Sequence, residues 1–551
     1  MTLSAGHLIV KTLEAHGVER IYAVPGESYL DVLDGLHDSP IHTVVTRHEG
    51  GAGFMALAEG RLGESPGIAM VTRGPGAANA MIAIHTAWQD ATAMVLFVGL
   101  IPLADRGRDS FQEFSLEGWF STTAKAVFVL DDEHQAGDVV ARAMRLASTG
   151  RPGPVVVGLP EDVLVRMTSS PVPAVLPLPD AAPSAAALES LSTMLGRAMQ
   201  PTIIVGGDGW DPATSARLAD FAEAARVPVL ADWRAYDAID HDSPAYAGWL
   251  GYGRAERTVQ ALNDADLLVF IGCTRGDVLS EGYQAALDTP TIVVSPDAGL
   301  TGHAGRIDAH LGIGPAQFLS ALPSGDSLRG TRGPEWMERL RAEQLDFTVP
   351  GPDGGTGVDL GIAFESLEAA LDADRIITYG AGNATLWGHR YLSHHGPKSL
   401  AGPRNGAMGL SVPAAVAASI MHPGRHVVAI CGDGDFFMNA QELAVSFAHG
   451  GTPLIVVADN GIFGTIVDHQ QRHYPQRPSG TAMENPNFAQ WIESFGGHGE
   501  FIATTAEFAP ALERALSSGL PAVLHLKTDP ATMGPGTVAH GSVASGAEAH
   551  A

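Results

Sequence analysis

Two stretches decide the fold: HVVAICGDGDFFMN at 426–439 and PLIVVADNG at 453–461. Each is a short apolar run, rich in β-branched residues, that stops at a turn of Gly, Asp or Asn. Neither run alternates with polar residues, so both faces of each strand are to be buried. That is the pattern of central strands in a parallel sheet covered by helices on both sides. The theme recurs outward along the chain: IAMVTRGPG (68–76), MVLFVG (94–99), PVVVGLP (154–160), TIIVGG (202–207), LLVFIG (267–272), TIVVSPD (291–297) and RIITYGAG (375–382). Helical spacing fills the gaps, as at 6–16 and 440–448. The reading is an α/β fold of three doubly wound, parallel-sheet domains, with ligands expected outside the carboxyl ends of the strands.

At about 150 residues per domain, 551 residues allow three or four domains. The expected boundaries are 1–166, 188–322 and 357–530, with a flexible tail at 531–551. A proline-rich stretch (167–187) and a Pro/Gly/charge-rich one (322–357, with a helical insert near 336–343) serve as linkers. The net charge of −28 would repel a nucleic-acid backbone or an anionic membrane surface, so neither is an expected partner. Only Cys273 and Cys431 are present, which leaves no disulfide framework and no Cys-rich metal site. The longest apolar run, 91–104, is too short for a membrane span and is broken by Gly99 and Pro102. A cytoplasmic protein is expected.

Asp433, in Gly432-Asp433-Gly434, offers a hard anionic oxygen at a strand end, and Asn460, 27 residues on, offers an amide oxygen at another. Such a pair suits Mg²⁺, which takes few protein ligands and completes its octahedron with phosphate oxygens. The flanking glycines would let backbone N–H groups approach a diphosphate. A second constellation, Arg47-His48-Glu49-Gly50-Gly51-Ala52-Gly53, follows the strand HTVVT. The small apolar residues after Glu49 place it on a helix packed into the interior. Burial would raise its pKa above about 4.3 and make it a proton-handling group.

These two constellations, Glu49 in RHEGGAG and GDG…N at 432–460, resemble the thiamine diphosphate (ThDP) enzymes of the 2-oxoacid decarboxylase and acetolactate synthase superfamily. The resemblance covers nearly the whole chain, as pyrimidine-binding, central and diphosphate-binding domains. VPGESYLDVLDGL (24–36), TRGPGAANA (72–80), DSFQEF (109–114), NGAMGLSVPAA (405–415) and FGTI (463–466) point to the acetolactate synthase-like branch. By position, the resemblance implies that Glu49 hydrogen-bonds the cofactor's pyrimidine ring and that Met408 wedges the cofactor into a bent shape. It implies Asp433, Asn460 and the Ile462 carbonyl as Mg²⁺ ligands, and Gly382, Asn383, Gly434 and Asp435 as diphosphate contacts. Pro25, Thr72, Pro75, Asn79, Gly406, Gly432 and Phe463 complete the cofactor contacts it implies. Phe111 and Gln112 would reach the active site from the partner's pyrimidine domain, with Lys125 at the family's entrance-lysine position. Because the family shares each site between two chains, a homodimer or homotetramer is implied.

The activity implied is decarboxylation of a pyruvate-like 2-oxo acid and ligation of the remaining fragment to a second carbonyl compound. Departures from the family's pattern limit the substrate reading. Asn383-Ala384-Thr385 stands where biosynthetic acetolactate synthases carry Gln-His-Gln, and 467–470 reads Val-Asp-His-Gln where they carry Arg-Gln-Trp-Gln. Arg275 in GCTRGD lacks the second arginine of flavin-binding relatives, which argues against retained FAD, while Arg275 and Lys125 remain candidate cations for an anionic substrate. His394-His395 lies in the wrong domain for the paired histidines of simple decarboxylases and reads as an exposed turn; His48, His469 and His473 are better placed for proton transfer. A non-coupling decarboxylase or a lyase of hydroxyketones or diketones is the alternative. A non-catalytic cofactor-binding protein is disfavoured by the intact Glu49, Asp433 and Asn460.

Overall fold

The apolar runs become three six-stranded sheets in which every ladder is parallel. The computed structural model describes residues 2–538 apart from 180, 208, 353, 355 and 536. The first sheet holds β1 (Arg20–Ala23), β2 (His42–Val45), β3 (Gly67–Thr72), β4 (Met94–Leu100), β5 (Ala126–Val129) and β6 (Pro154–Pro160), in the order β2-β1-β3-β4-β6-β5. The second holds β7 (Pro201–Val205), β8 (Val229–Asp232), β9 (Tyr246–Leu250), β10 (Leu267–Ile271), β11 (Thr291–Val294) and β12 (Ala309–Leu311), in the order β9-β8-β7-β10-β11-β12. The third holds β13 (Arg375–Tyr379), β14 (Leu400–Ala401), β15 (His426–Gly432), β16 (Leu454–Asp459), β17 (His498–Ile502) and β18 (Ala522–Lys527), in the order β14-β13-β15-β16-β18-β17.

The first and third sheets therefore share one topology, with the direction of winding reversing between their first and third strands. A crevice opens at such a reversal, because the two loops leaving neighbouring strands diverge to opposite faces. In the first sheet those loops begin at Val24 and Arg73; in the third they begin at Gly380 and Asp433. Register keeps the third set flush: Tyr379 pairs with Ile430 and Gly432 with Ala458, so three strand ends open side by side.

Alternation along the third sheet divides its side chains between two cores. Ile376, Ala429, Ile455 and Val523 pack with the first domain, while Ile377, Val428, Val456 and Leu524 pack with the second. Two helices join the first and third domains: α1 (Glu49–Leu62), half of it Gly and Ala, and α5 (Ser411–Met421), with four alanines and two serines, both buried over most of their length. Between them in sequence lie α2 (Arg73–Asp90), α3 (Glu335–Phe347) and α4 (Asn383–Tyr391). The helical insert expected in the second linker is α3, and it is not a bridge: Trp336, Met337 and Leu340 are buried in the central core. Within the expected tail, 532–534 and 537–538 pair as a small antiparallel ladder, and 539–551 lies outside the described residues. No helix among the described residues is long and apolar enough to cross a membrane.

A buried carboxylate closes the α1 junction. Glu442, in a 3₁₀ turn of the third domain, is fully buried; its Oε2 accepts the Arg47 N–H at 3.0 Å, and Oε1 has no hydrogen-bond partner among the described residues. Only a glycine at 51 leaves room for it, since a Cβ there would strike the carboxylate. Burial pushes its pKa up to about 7, against the N–H groups that favour the anion.

Two predictions follow from this packing. Leu524→Ala, in a fully buried strand position, should cost about 2–5 kcal/mol, read as a lower denaturant midpoint at unchanged slope. Glu442 binds its proton more tightly in the folded chain, so its contribution is full at low pH and is lost as pH rises from about 4.5 through about 7. Asp90, also raised to about 7, adds a slope of the same sign, so the difference between proteins is the readout. Glu442→Gln should remove on the order of 3 kcal/mol of that decline, and equal pH slopes in both proteins would refute it.

Candidate active site

Two half-sites form at the two matching crevices. In the first domain, Glu49 is the first residue of α1 and follows β2. His48 caps that helix, its Nδ1 accepting the Gly50 N–H at 3.0 Å, which places its proton on Nε2. Glu49 Oε2 accepts from Asn79 Nδ2 at 2.9 Å, bringing together two of the expected cofactor contacts. The helix is buried as expected, but the Glu49 carboxylate itself is only half-buried in one chain. Ser28 and Thr72 share a hydroxyl hydrogen bond of 2.7 Å beneath this mouth, and Pro25 and Pro75 are exposed at its rim.

The DSFQEF loop folds around a residue the sequence did not single out. The Glu113 carboxylate accepts the N–H groups of Gly107, Arg108 and Ser110, which hold its pKa below the usual carboxylate range. This ring of donors presents Phe111 outward, 74% exposed, and holds Gln112 at φ +63°, its carbonyl accepting the Gly74 N–H at 3.3 Å. Arg73 beside it also takes a strained φ of +25° and pairs with Glu27 (3.0 Å) and Glu161 (2.7 Å).

In the third domain a cavity of about 710 Å³ opens over the strand ends. Gly382, Asn383, Gly406, Met408, Gly432, Asp433, Gly434, Asp435, Asn460, Ile462 and Phe463 all line it. Gly382 sits at φ +110°, where an L side chain would be strained, and this lets the chain turn from β13 into α4. Asp433 opens helix α6 (Asp433–Asn439), its Oδ1 accepting the Gly434 N–H and its Oδ2 accepting from Gly461 N (2.9 Å) and Asn485 Nδ2 (2.7 Å). Asn460 Oδ1 takes the Ile462 N–H at 3.1 Å, which fixes its amide oxygen at the rim.

A second carboxylate, Asp459, stands behind Asp433. The amide of Asn485 donates to both, and Asp459 is also held by His525 (2.9 Å) and Lys527 (3.2 Å). Burial and the neighbouring Asp459 push the Asp433 pKa up to about 6; against its own burial, the donors on Asp459 hold that carboxyl well below its ordinary value. A carboxylate raised by a like-charged neighbour, with an amide oxygen at the adjoining strand end, fits a divalent cation. The Asp435 carboxylate turns inward, accepting from Gly409 N (2.8 Å), Ala381 N (3.2 Å) and Ser411 Oγ (2.9 Å), which leaves its main chain for the expected diphosphate contact.

Several expected roles are corrected by side-chain direction. Arg275 is fully buried and donates to Leu287 O and Thr291 Oγ1, with burial pulling its pKa down to about 10, so it is no substrate cation. Lys125 precedes β5, at the amino end of the sheet and away from the crevice, and its Nζ donates to the carbonyls of Leu146 and Thr149. His394 is buried, not exposed, between Ser399, His241 and Tyr379. His469 and His473 stack as parallel rings 6.5 Å apart and do not line the cavity. The central sheet has the strand order of dinucleotide-binding sheets, yet its crevice is filled. The loops at Gly207 and Gly272 touch through their main chains, and the buried Trp210 indole donates to Gly206 O at 3.0 Å.

Of the first domain, His85 and Gln89 reach the 710 Å³ cavity, whereas Pro25, Glu49, Thr72, Pro75, Asn79, Phe111 and Gln112 do not line it. Within one chain, the cavity that Asp433 lines thus does not include Glu49.

Models of the thiamine pyrophosphate enzyme N-terminal, central and C-terminal domains match residues 3–119, 188–322 and 380–526. The chain is 29% identical to a probable acetolactate synthase large subunit of Methanocaldococcus jannaschii, across 96% of this chain and 92% of the relative. It is 27% identical to the acetolactate synthase isozyme 2 large subunit of Escherichia coli, across 96% of each. A probable acetolactate synthase of Mycobacterium bovis is 28% identical across 97% of each. With these matches along the chain and two matching crevices carrying Glu49 and Asp433, this protein belongs to the thiamine diphosphate enzyme superfamily, in its acetolactate synthase-like branch.

Proposed function

We propose that this ThDP-dependent enzyme uses Mg²⁺ to decarboxylate a pyruvate-like 2-oxo acid and ligate the remaining fragment to a second carbonyl compound, without FAD. The observation that carries this reading is the split of the site: Glu49 stands at the mouth of one crevice and Asp433 with Asn460 at the mouth of its topological twin. A bound ThDP would supply a carbanion at its thiazolium carbon and accept the electrons released with CO₂.

The chain's own residues would do the rest. Asp433, Asn460 and the Ile462 carbonyl would hold Mg²⁺, and the turns at 382–383 and 432–434 would hold the diphosphate. Met408 would support the bent cofactor from below. Glu49, fixed by Asn79 and the helix terminus, would exchange a proton with a ring nitrogen, a task that needs the carboxylate desolvated. One chain leaves that carboxylate half-exposed, and a second chain covering the mouth would complete its burial. Exposed Phe111 (74%), Met438 (47%), Ile82 (42%) and Phe437 (41%) offer apolar surface for such a homodimer or homotetramer. Closure would also exclude water that would protonate the carbanion.

The test is product analysis of the purified protein with pyruvate, ThDP and Mg²⁺, without added FAD. Acetolactate is the expected product; acetaldehyde alone would assign a non-coupling decarboxylase, and neither product would move the donor to another 2-oxo acid or hydroxyketone. Glu49→Gln should lower turnover by about 10²- to 10⁴-fold, and wild-type turnover in that variant would refute the proton-handling role. Co-expression of Glu49→Gln with Asp433→Ala chains tests the shared site. Random pairing puts one intact site in half of the dimers, so about a quarter of wild-type activity should return. No recovery in verified mixed dimers would place both residues in one chain's site.

A further inference from the structure

The peptide unit joining Gly380 and Ala381 leaves β13 and opens the turn assigned above to the diphosphate. Its carbonyl oxygen accepts from Arg234 Nη2 at 2.7 Å, and its N–H donates to Asp435 Oδ1 at 3.2 Å. One peptide plane therefore lies between a cation and a carboxylate, with its dipole aligned to both. Both charges are buried: Arg234 is 5% exposed and Asp435 1%. Residue 380 has to be glycine, because a Cβ there would collide with the Asp435 carboxylate.

The two ends of this clamp come from different domains. Arg234 lies two residues beyond β8 in the central domain, where its Nη1 meets His389 Nε2 at 3.0 Å and its guanidinium carbon sits 4.2 Å from the centre of the Trp233 ring. Among the described residues no carboxylate lies within ion-pairing distance of that guanidinium. Asp435 comes from α6 and also accepts from Gly409 N and Ser411 Oγ, so the same carboxylate sets the loop that carries Met408. A buried guanidinium without a carboxylate in contact is costly unless its charge is met by other means. The peptide dipole and the more distant Asp90 and Asp435 carboxylates meet part of it, and Arg234 lines the cavity, where an anion would add to them.

We propose that Arg234 and Asp435 form one positioning unit that presets the 380–383 turn for an anionic diphosphate, so that the central domain contributes to cofactor affinity. The proposal rests on the assignment of that turn to ThDP. Neither residue is catalytic; both act through the peptide they hold.

The test is a double-mutant cycle on ThDP binding to the full-length protein at fixed Mg²⁺, read by titration calorimetry, with melting temperatures measured before cofactor is added. Arg234→Gln and Asp435→Asn should each weaken ThDP binding roughly ten- to hundredfold. The double variant should be no weaker than the poorer single one, because the second loss falls on a clamp already open. Arg234→Lys should recover part of the affinity: it keeps the charge but loses the fork that reaches His389 and Gly380 together. If Arg234→Gln does not fold, Arg234→Lys with Asp435→Asn carries the same cycle. Losses that multiply, or an Arg234→Gln affinity within about twofold of wild type, would overturn the clamp while leaving ThDP as the cofactor. A wild-type protein that binds no ThDP would overturn the cofactor assignment, and the clamp's purpose with it.

Discussion

The close packing of α1 against α5 is the constraint on which the rest depends. Both helices touch a sheet on one side and each other on another, so neither keeps a polar face. Their Gly and Ala content is the physical condition for that, because larger side chains would hold the helix axes apart. The first and third domains consequently share one core, and the first keeps a second core of its own on the opposite face of its sheet. Glu49 is the N-terminal residue of one of these helices, so its position is set by the domain junction. Glu442, nine residues after Asp433 in sequence, accepts the Arg47 N–H and ties that junction to the element that begins with Asp433. The packing leaves Glu49 outside the cavity that Asp433 lines in the same chain.

The shared topology of the first and third sheets then divides the work. Each offers a crevice at the same point of strand reversal, but their chemistry differs. The first is rimmed by a carboxylate and an amide, Glu49 and Asn79, a pair suited to a nitrogen heterocycle. The third gathers three acids at its strand ends and settles each in its own way. Asp459 is held by His525, Lys527 and Asn485; Asp435 lines the cavity but its carboxylate is spent on two backbone N–H groups and a hydroxyl; Asp433 accepts from Gly434, Gly461 and Asn485 and keeps a raised pKa, from burial and from the charge of Asp459 beside it. That arrangement is what suits Asp433 to the cation proposed for it.

What could be read from sequence divides along the same line between local and distant structure. The three sheets were legible because doubly buried strands are written as unbroken apolar runs, and the strand-end turns were legible because Gly, Asp and Asn mark them. The helix at 335–347 was visible as an insert, yet its burial was not, since charged residues between Trp336, Met337 and Leu340 hide a narrow apolar stripe. Partners far apart in the chain were out of reach: Asn485 lies 52 residues from Asp433, and Arg234 146 residues from Gly380. Arg275 and Lys125 were misread for a related reason. A cation near a site motif can point either way, and here carbonyl oxygens on the far side claimed both.

Their loss sharpens an electrostatic question. A chain with a net charge of −28 repels a 2-oxo acid at long range, and salt screens that repulsion beyond about 10 Å. Attraction must then arise within the cavity, from groups close enough to escape screening. Two arginines line it, Arg234 and Arg404, and Arg404 is paired with Asp232. Both terminal nitrogens of Arg234 are committed, to a peptide carbonyl and a neutral histidine, and its Nε–H is buried, so it acts on an anion chiefly through its field. A field of that kind favours negative charge anywhere near the cradle, which suits a diphosphate first and cannot by itself select one 2-oxo acid over another. On the proposed function, selection would fall to the shape of the cavity wall, which Trp233, Tyr252, Val278 and Leu386 help to form.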